Sequence, residues 1–210
     1  QFLSLSPDRM GIPQSQQRTE GRVRLRRDGA NIADYLLDIR TLSPGAFEGI
    51  VQTMAYVLPY ARDLQPAVAS ELERKSYLQL SESDYKIPGW MLSTGTLRVL
   101  ALLAVLRHPN PPPLVVIEEI ENGLDPRSIH LLVEEIRTAV LSGITQVVVT
   151  THSPYLLDLL TLEQKVMVTR DTKGHPHFHR HSDSESLQRW SQDFSPGRLY
   201  TMGKLHEAAQ

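Results

Sequence analysis

Apolar residues are distributed along this chain in two kinds of block. Leu114-Val115-Val116-Ile117 is a short unbroken apolar run, which predicts a strand buried on both faces of a parallel sheet. Val147-Val148-Val149, inside Thr145–Thr150, predicts a second such strand. Leu97 to Leu106 is apolar nearly all round, which predicts a helix with no solvent face. Stripes at helical spacing predict three more helices. The first carries Ile32, Tyr35, Leu36 and Ile39. The second carries Phe47, Ile50, Val51, Met54 and Val57; it opens at Ser43-Pro44 and stops before Pro59. The third carries Ile129, Leu132, Val133, Ile136 and Val140.

Elsewhere the period changes. Between Leu64 and Leu80, alternation through Leu72 and Tyr77-Leu78-Gln79-Leu80 predicts an antiparallel arm, with Lys86–Trp90 as its connector. Ser153-Pro154 predicts a short helix to Leu160, Lys165–Arg170 a strand, and Leu187–Phe194 a last helix. Residues 1–27 lack periodicity and are rich in Ser, Gln, Pro and Arg, so they read as an irregular lead-in. Arg18, Arg22, Arg24, Arg26 and Arg27 make it basic, as a solvated segment or as a nucleic-acid phosphate contact. His108-Pro109-Asn110-Pro111-Pro112-Pro113 fits neither helix nor inner strand and reads as a stiff connector.

Composition narrows this picture only a little. With 210 residues and 40% hydrophobic content, the chain can build one sizeable core and a small appendage. A net charge of −2 does not announce a nucleic-acid binder. The absence of cysteine excludes disulfides and thiolate zinc sites, and fits a cytoplasmic setting. No apolar run reaches the roughly 20 residues of a membrane span.

Candidate chemistry collects at the ends of the two apolar strands. Glu118 and Glu119 directly follow the first, where ligands of open parallel sheets bind. Paired acids there suit a metal-nucleotide site: one carboxylate serves a Mg²⁺ shell and the other orients or deprotonates a water. A solvated acidic loop is the plainer alternative. His152 follows the second strand. Ser93, Thr94 and Gly95 open the buried helix, and a helix start with free N–H groups is a phosphate site. Arg98, one turn in, reads as a surface or structural salt bridge. Asp125 before Pro126 reads as an N-cap. His175, His177, His179 and His181 alternate, so a strand would set them on one face; a transition-metal site and a polar edge face both fit.

Leu92-Ser93-Thr94-Gly95-Thr96, the acidic strand, Gly123-Leu124-Asp125-Pro126 and Thr150-Thr151-His152-Ser153, in this order, resemble the C-terminal half of an ATP-binding-cassette ATPase of the RecF/SMC/OLD-like group. Asp28-Gly29-Ala30-Asn31 and Leu199-Tyr200-Thr201-Met202-Gly203 add to the resemblance. It implies an α/β fold: the C-terminal half of a parallel-sheet P-loop NTPase flanked by helices, with a small antiparallel β arm. It implies ATP and Mg²⁺ as ligands and hydrolysis as the reaction. Glu118 takes the Walker B metal position, through water, and Glu119 that of the catalytic carboxylate. Most relatives carry Asp where Glu118 stands. His152 takes the switch-histidine role toward the γ-phosphate. Ser93, Thr94 and Gly95 bind the γ-phosphate of a nucleotide held mainly by a partner subunit, and Asp125 stands at the dimer interface.

The resemblance divides the chain into 1–27, a lead-in; 28–91, helices and arm; and 92–210, the lobe of motifs. No G-x-x-x-x-G-K-[ST] phosphate loop occurs in the chain. A phosphate-loop half, as another segment or chain, is therefore an expected partner, along with a second copy, and with nucleic acid or an effector nuclease. Alone, the half-sheet is expected to expose an apolar edge. Two other readings compete. A non-hydrolysing interaction module would explain the missing loop but not the filled acidic and histidine positions. A transporter subunit would carry Ser-Gly-Gly-Gln where Ser93-Thr94-Gly95-Thr96 stands.

Overall fold

A computed structural model describes residues 1–16, 22–68, 74–180 and 185–207. Arg18, Leu72 and His181 therefore lie outside the described residues. In chain order the first part holds β1 (Phe2–Leu3), α1 (Pro7–Met10), β2 (Gln14–Ser15), α2 (Ile32–Leu42), α3 (Pro44–Val57), β3 (Asp63–Val68), β4 (Lys75–Glu82), β5 (Tyr85–Pro88), α4 (Thr94–Leu106), β6 (Leu114–Ile117), α5 (Pro126–Leu141) and β7 (Gln146–Val149). The second part holds α6 (Pro154–Leu159), β8 (Val166–Arg170), β9 (Pro176–Arg180), α7 (Glu185–Asp193), α8 (Pro196–Thr201) and α9 (Lys204–Glu207). Chain compactness separates the two parts between Thr150 and Thr151. The motif-based division at 27 and 91 follows chemistry rather than compactness.

In the first unit, α4 is the core. Every residue from Thr96 to Leu106 is buried, and the helix packs against α1, α2, α3 and α5. Ser93 caps it: its Oγ accepts the Thr96 N–H at 3.1 Å. Asp125 caps α5, accepting from the Arg127 and Ser128 N–H groups at 2.9 and 3.2 Å. Ile129, Leu132 and Val133 of α5 turn inward, whereas Val140 is exposed. The predicted stripe thus ends one turn early, where α5 runs past the core. Arg107 joins three helices: it reaches Glu135 with two bonds, at 2.7 and 2.5 Å, and the Gly49 carbonyl at 2.7 Å.

The parallel sheet runs in the order β1-β6-β7. Leu114 to Ile117 pair with Gln146 to Val149, and Phe2 and Leu3 pair with Val116 and Ile117. The expectation of an irregular lead-in is therefore corrected. Residues 2–3 form a parallel edge strand, and β2 joins the arm. Strands of two residues carry no readable period; they exist through their neighbours. The arm is an antiparallel sheet in which β3 takes one edge of β4 while β2 and β5 share the other. β5 stands where a connector was expected, because the Ser83-Asp84 turn folds it back onto β4. Ser83 there has φ +48°. No described helix is long and apolar enough to cross a membrane.

The second unit surrounds Leu199 and Leu205, packed with Leu157, Met167, Trp190, Phe194 and Tyr200. Gly197 lets α8 meet α6: a Cβ there would lie 2.2 Å from the Pro154 carbonyl oxygen. Its N–H donates to Asp158 at 2.6 Å. β8 and β9 form an antiparallel hairpin. His175 and His177 both approach Asp171 Oδ2, at 3.2 and 3.4 Å, while His179 bonds Thr169 at 3.0 Å. Among the described residues no group of three or more His, Asp or Glu side chains is arranged to hold a metal. His175 directly precedes β9, and His181 lies outside the described residues, so the alternation of four histidines is described only from His175 to His179.

His108 in the stiff connector is only 4% exposed. It stacks on Tyr35 with ring centroids 5.0 Å apart, and its Nδ1 accepts the Asn110 N–H at 3.0 Å. Burial, then the Arg22 charge, lowers its pKa below the ordinary imidazole value of 6.5, outweighing the pull of Asp38. A base with a depressed folded pKa is protonated first in the unfolded chain. Its stabilising contribution is complete above 6.5 and is lost as pH falls below that value. The melting temperature is expected to drop between pH 7.5 and 5.5, and His108→Gln is expected to flatten that drop. Equal slopes in thermal melts of the two proteins would count against this assignment.

Candidate active site at the carboxyl end of the parallel sheet

β6 delivers its acids to the carboxyl end of the sheet. The Glu118 N–H donates to the Leu3 carbonyl at 3.0 Å, so β1 fixes where β6 stops. Glu119 then turns out of the sheet with φ +45°, in the left-handed region. For a residue with a Cβ this costs about 1–2 kcal/mol. Two partners hold it from opposite sides. Its N–H donates to Thr150 Oγ1 at 2.9 Å, and its carbonyl accepts from Arg98 Nη2 at 2.8 Å. The Asn122 N–H reaches the same carbonyl at 3.0 Å, and the Ile120 N–H bonds the Thr150 carbonyl at 3.3 Å. β7 thereby anchors the turn that follows β6.

A cleft of about 280 Å³ opens there, lined by Ser4, Leu5, Arg98, Glu118, Glu119 and Asn122. Glu118 and Glu119 are exposed to it. Its lining offers carboxylate, hydroxyl and amide oxygens, which are hard ligands suited to Mg²⁺. Two protein carboxylates with the rest of the shell from water and phosphate is the usual Mg²⁺ arrangement. The donor set therefore fits a magnesium nucleotide.

The other predicted residues are placed as follows. Ser93 and Thr94 are exposed at the start of α4 and do not line the cleft. Gly95 has a local reason: a Cβ would lie 2.6 Å from the Gly123 carbonyl oxygen. The first turn of α4 thus rests on the turn that follows the two acids. Asp125 uses both carboxylate oxygens inside its own helix, the second accepting from the Ser128 hydroxyl at 2.6 Å. That hydroxyl bond, more than the backbone N–H groups, lowers its pKa below the ordinary value. His152 is the second residue of the second unit, and its Nδ1 lies 3.2 Å from the Tyr200 hydroxyl.

Sequence reasoning missed Arg98. It is no surface residue, being 5% exposed, and it pairs with carbonyls rather than with a carboxylate. Burial lowers its pKa below the usual arginine value, against the opposing charges of Glu119 and Glu121. The signal was present: a lone cation in a run that is otherwise apolar must be satisfied inside. Ser4 and Leu5 were missed with β1.

Among solved structures, the SMC head bound to the C-terminal winged-helix domain of ScpA superposes with a TM-score of 0.51 at 13% identity, over 73% of this chain and 54% of that one. The Smc head domain with an extended coiled coil, bound to the C-terminal domain of ScpA and derived from Pyrococcus furiosus, gives 0.51 at 13%, over 78% and 41%. This chain thus spans about half or less of those chains, and the likeness is one of fold. No curated protein matches the sequence. Residues 12–158 match a family model, and the chain, an ABC/SMC-like ATPase domain in fold, belongs to the family described as "AAA domain, putative AbiEii toxin, Type IV TA system".

Proposed function

We propose that this chain is the ATP-hydrolysing half of an ABC-type ATPase whose phosphate-loop half is supplied by another segment or chain. The observation that carries this reading is the pair Glu118 and Glu119, held at the carboxyl end of β6 and facing one cleft, with Glu119 fixed in a strained left-handed turn. Strain of this kind collects at functional sites.

ATP with Mg²⁺ supplies the γ-phosphoryl group and the charge neutralisation for its transfer. Glu118 holds the water shell of the metal. Glu119 orients the attacking water and accepts its proton as the oxygen bonds to the γ-phosphorus. The bond to the bridging oxygen breaks, releasing ADP and phosphate. His152 takes the switch-histidine role toward the γ-phosphate. Ser93, Thr94 and Gly95 serve the nucleotide of a second copy, a role in keeping with their absence from the lining of the cleft that the acids face. Asp125 shapes that dimer face through the turn that it caps. ATP binding closes the dimer and hydrolysis opens it. The output of such an assembly is work on DNA: repair, chromosome handling or phage defence, with a nucleic acid or an effector nuclease as partner.

Turnover of this chain, alone and completed by a phosphate-loop-bearing half, tests the reading. ATPase activity is expected only on completion. Glu119→Gln is expected to lower kcat by about 10²–10⁴-fold with little change in KM, as for loss of a general base. Absence of turnover and of nucleotide binding in every combination would leave an interaction module in place of an enzyme.

Glu118→Gln is expected to raise the Mg²⁺ concentration for half-maximal turnover by about tenfold or more, as when a group that organises a metal shell is altered. An unchanged magnesium titration would remove Glu118 from the metal.

A further inference from the structure

Arg98 is a buried cation on α4, whose body is buried all round, and no part of the mechanism above uses it. Its Nη1 donates to the Leu5 carbonyl at 3.1 Å and its Nη2 to the Glu119 carbonyl at 2.8 Å. Its Nε is buried and has no hydrogen-bond partner among the described residues. A guanidinium retained in a core with one donor unsatisfied is not the choice that stability alone would favour. Apolar side chains of similar volume commonly serve such sites as well or better. Unsatisfied buried donors in native structures call for another reason.

Geometry supplies that reason. Leu5 follows β1 and Glu119 follows β6, so the two amino groups of one rigid fork span the ends of neighbouring strands. The fork lies along the wall of the cleft that the acids face. Glu119 is one of three non-glycine residues with positive φ among the described residues, and the other two, Arg74 and Ser83, lie in the arm. We propose that Arg98 is the positioning residue for Glu119: its bond to the Glu119 carbonyl holds the left-handed turn that presents the carboxylate to the cleft. The role rests on the reading of Glu119 as the carboxylate that activates water.

The clamp is short and specific in form. Lysine carries its three donors on one nitrogen at the end of a flexible stem, so it lacks the rigid fork that holds the two carbonyls in fixed geometry. Methionine fills the volume and serves neither.

The test has a structural arm and a kinetic arm. Crystal structures of this chain as Arg98→Met and Arg98→Lys read the Glu119 backbone directly. In Arg98→Met, φ of Glu119 is expected to return to negative values. Retention of positive φ there, with the carboxylate still at the cleft, overturns the inference whatever the kinetics; should Arg98→Met not fold, an Arg98→Lys structure whose Nζ has left the Glu119 carbonyl while Glu119 keeps its positive φ, with an unchanged rate, does the same. In the protein completed by its phosphate-loop half, Arg98→Met is expected to lower kcat about 100-fold with KM for ATP within threefold, and Arg98→Lys about tenfold. Added to Glu119→Gln, Arg98→Met is expected to cause no further loss, because both changes remove one function. Losses that multiply in the double variant, or a change in KM alone, overturn the positioning role. Wild-type turnover in Glu119→Gln would instead sink the catalytic reading of that carboxylate, and the crystal structures alone would then decide whether Arg98 holds its turn.

Discussion

The first unit depends on a helix whose body, from Thr96 onward, is buried. With every residue from Thr96 to Leu106 buried, α4 supplies the apolar contacts around which α1, α2, α3 and α5 pack. Any polar group on such a helix must find its partners inside the protein. Arg98 finds them in the carbonyls of Leu5 and Glu119, which ties the core helix to the ends of β1 and β6. The magnitudes are comparable and of the right sign. A left-handed Glu119 costs about 1–2 kcal/mol. A hydrogen bond to a charged donor returns about 1.5–3 kcal/mol. The Arg98 bond thus matches the cost of a turn that the backbone alone would not choose, while the Thr150 hydroxyl fixes the N–H side of the same residue.

The parts of this fold that were legible in the sequence are those whose apolar runs are continuous. The runs at Leu114–Ile117 and Thr145–Thr150 and the helix from Leu97 to Leu106 lie where their patterns placed them, but only the helix is buried throughout: Leu114 is 40% and Val148 45% exposed, so the expectation of strands buried on both faces is corrected. The acids at the end of β6 were legible for the same reason, since an apolar run must end somewhere and its end is marked by the first charges. β1 was not legible, because two residues hydrogen-bonded to a neighbour leave no period to read. β5 was hidden behind a turn of ordinary polar residues. Arg98 was visible as a residue but not as a role. Its partners are carbonyls at positions 5 and 119, and main-chain partners leave no mark in side-chain identity.

The tail shows the same limit from the other side. Leu199-Tyr200 carried no mechanism in the sequence, yet Leu199 is the centre of the second unit's core and the Tyr200 hydroxyl meets His152. Gly197 is what allows α8 to approach the start of α6, where a Cβ would overlap the Pro154 carbonyl. Ser153 caps α6, and its own N–H is held by Thr151 Oγ1 at 3.0 Å. The loop that carries His152 is therefore braced from within its own unit by residues some fifty positions later, a relation that local pattern cannot express.

Structural duty also ranks the site residues. Ser93, Asp125 and Ser153 each cap a helix, and capping alone, at about 0.5–2 kcal/mol each, accounts for their chemistry. Gly95 is explained by the Gly123 carbonyl. None of these four positions requires a ligand to be understood. Glu118 and Glu119 are different. They are exposed at the end of a half-buried strand, and among the described residues the Glu119 carboxylate takes a long 3.5 Å hydrogen bond from Asn122. One of them sits in a conformation that costs energy and is held there by a cation the core would more cheaply omit. Local stability explains the caps and fails to explain the acids, so the weight of the enzymatic reading rests on the acids and on the arginine behind them.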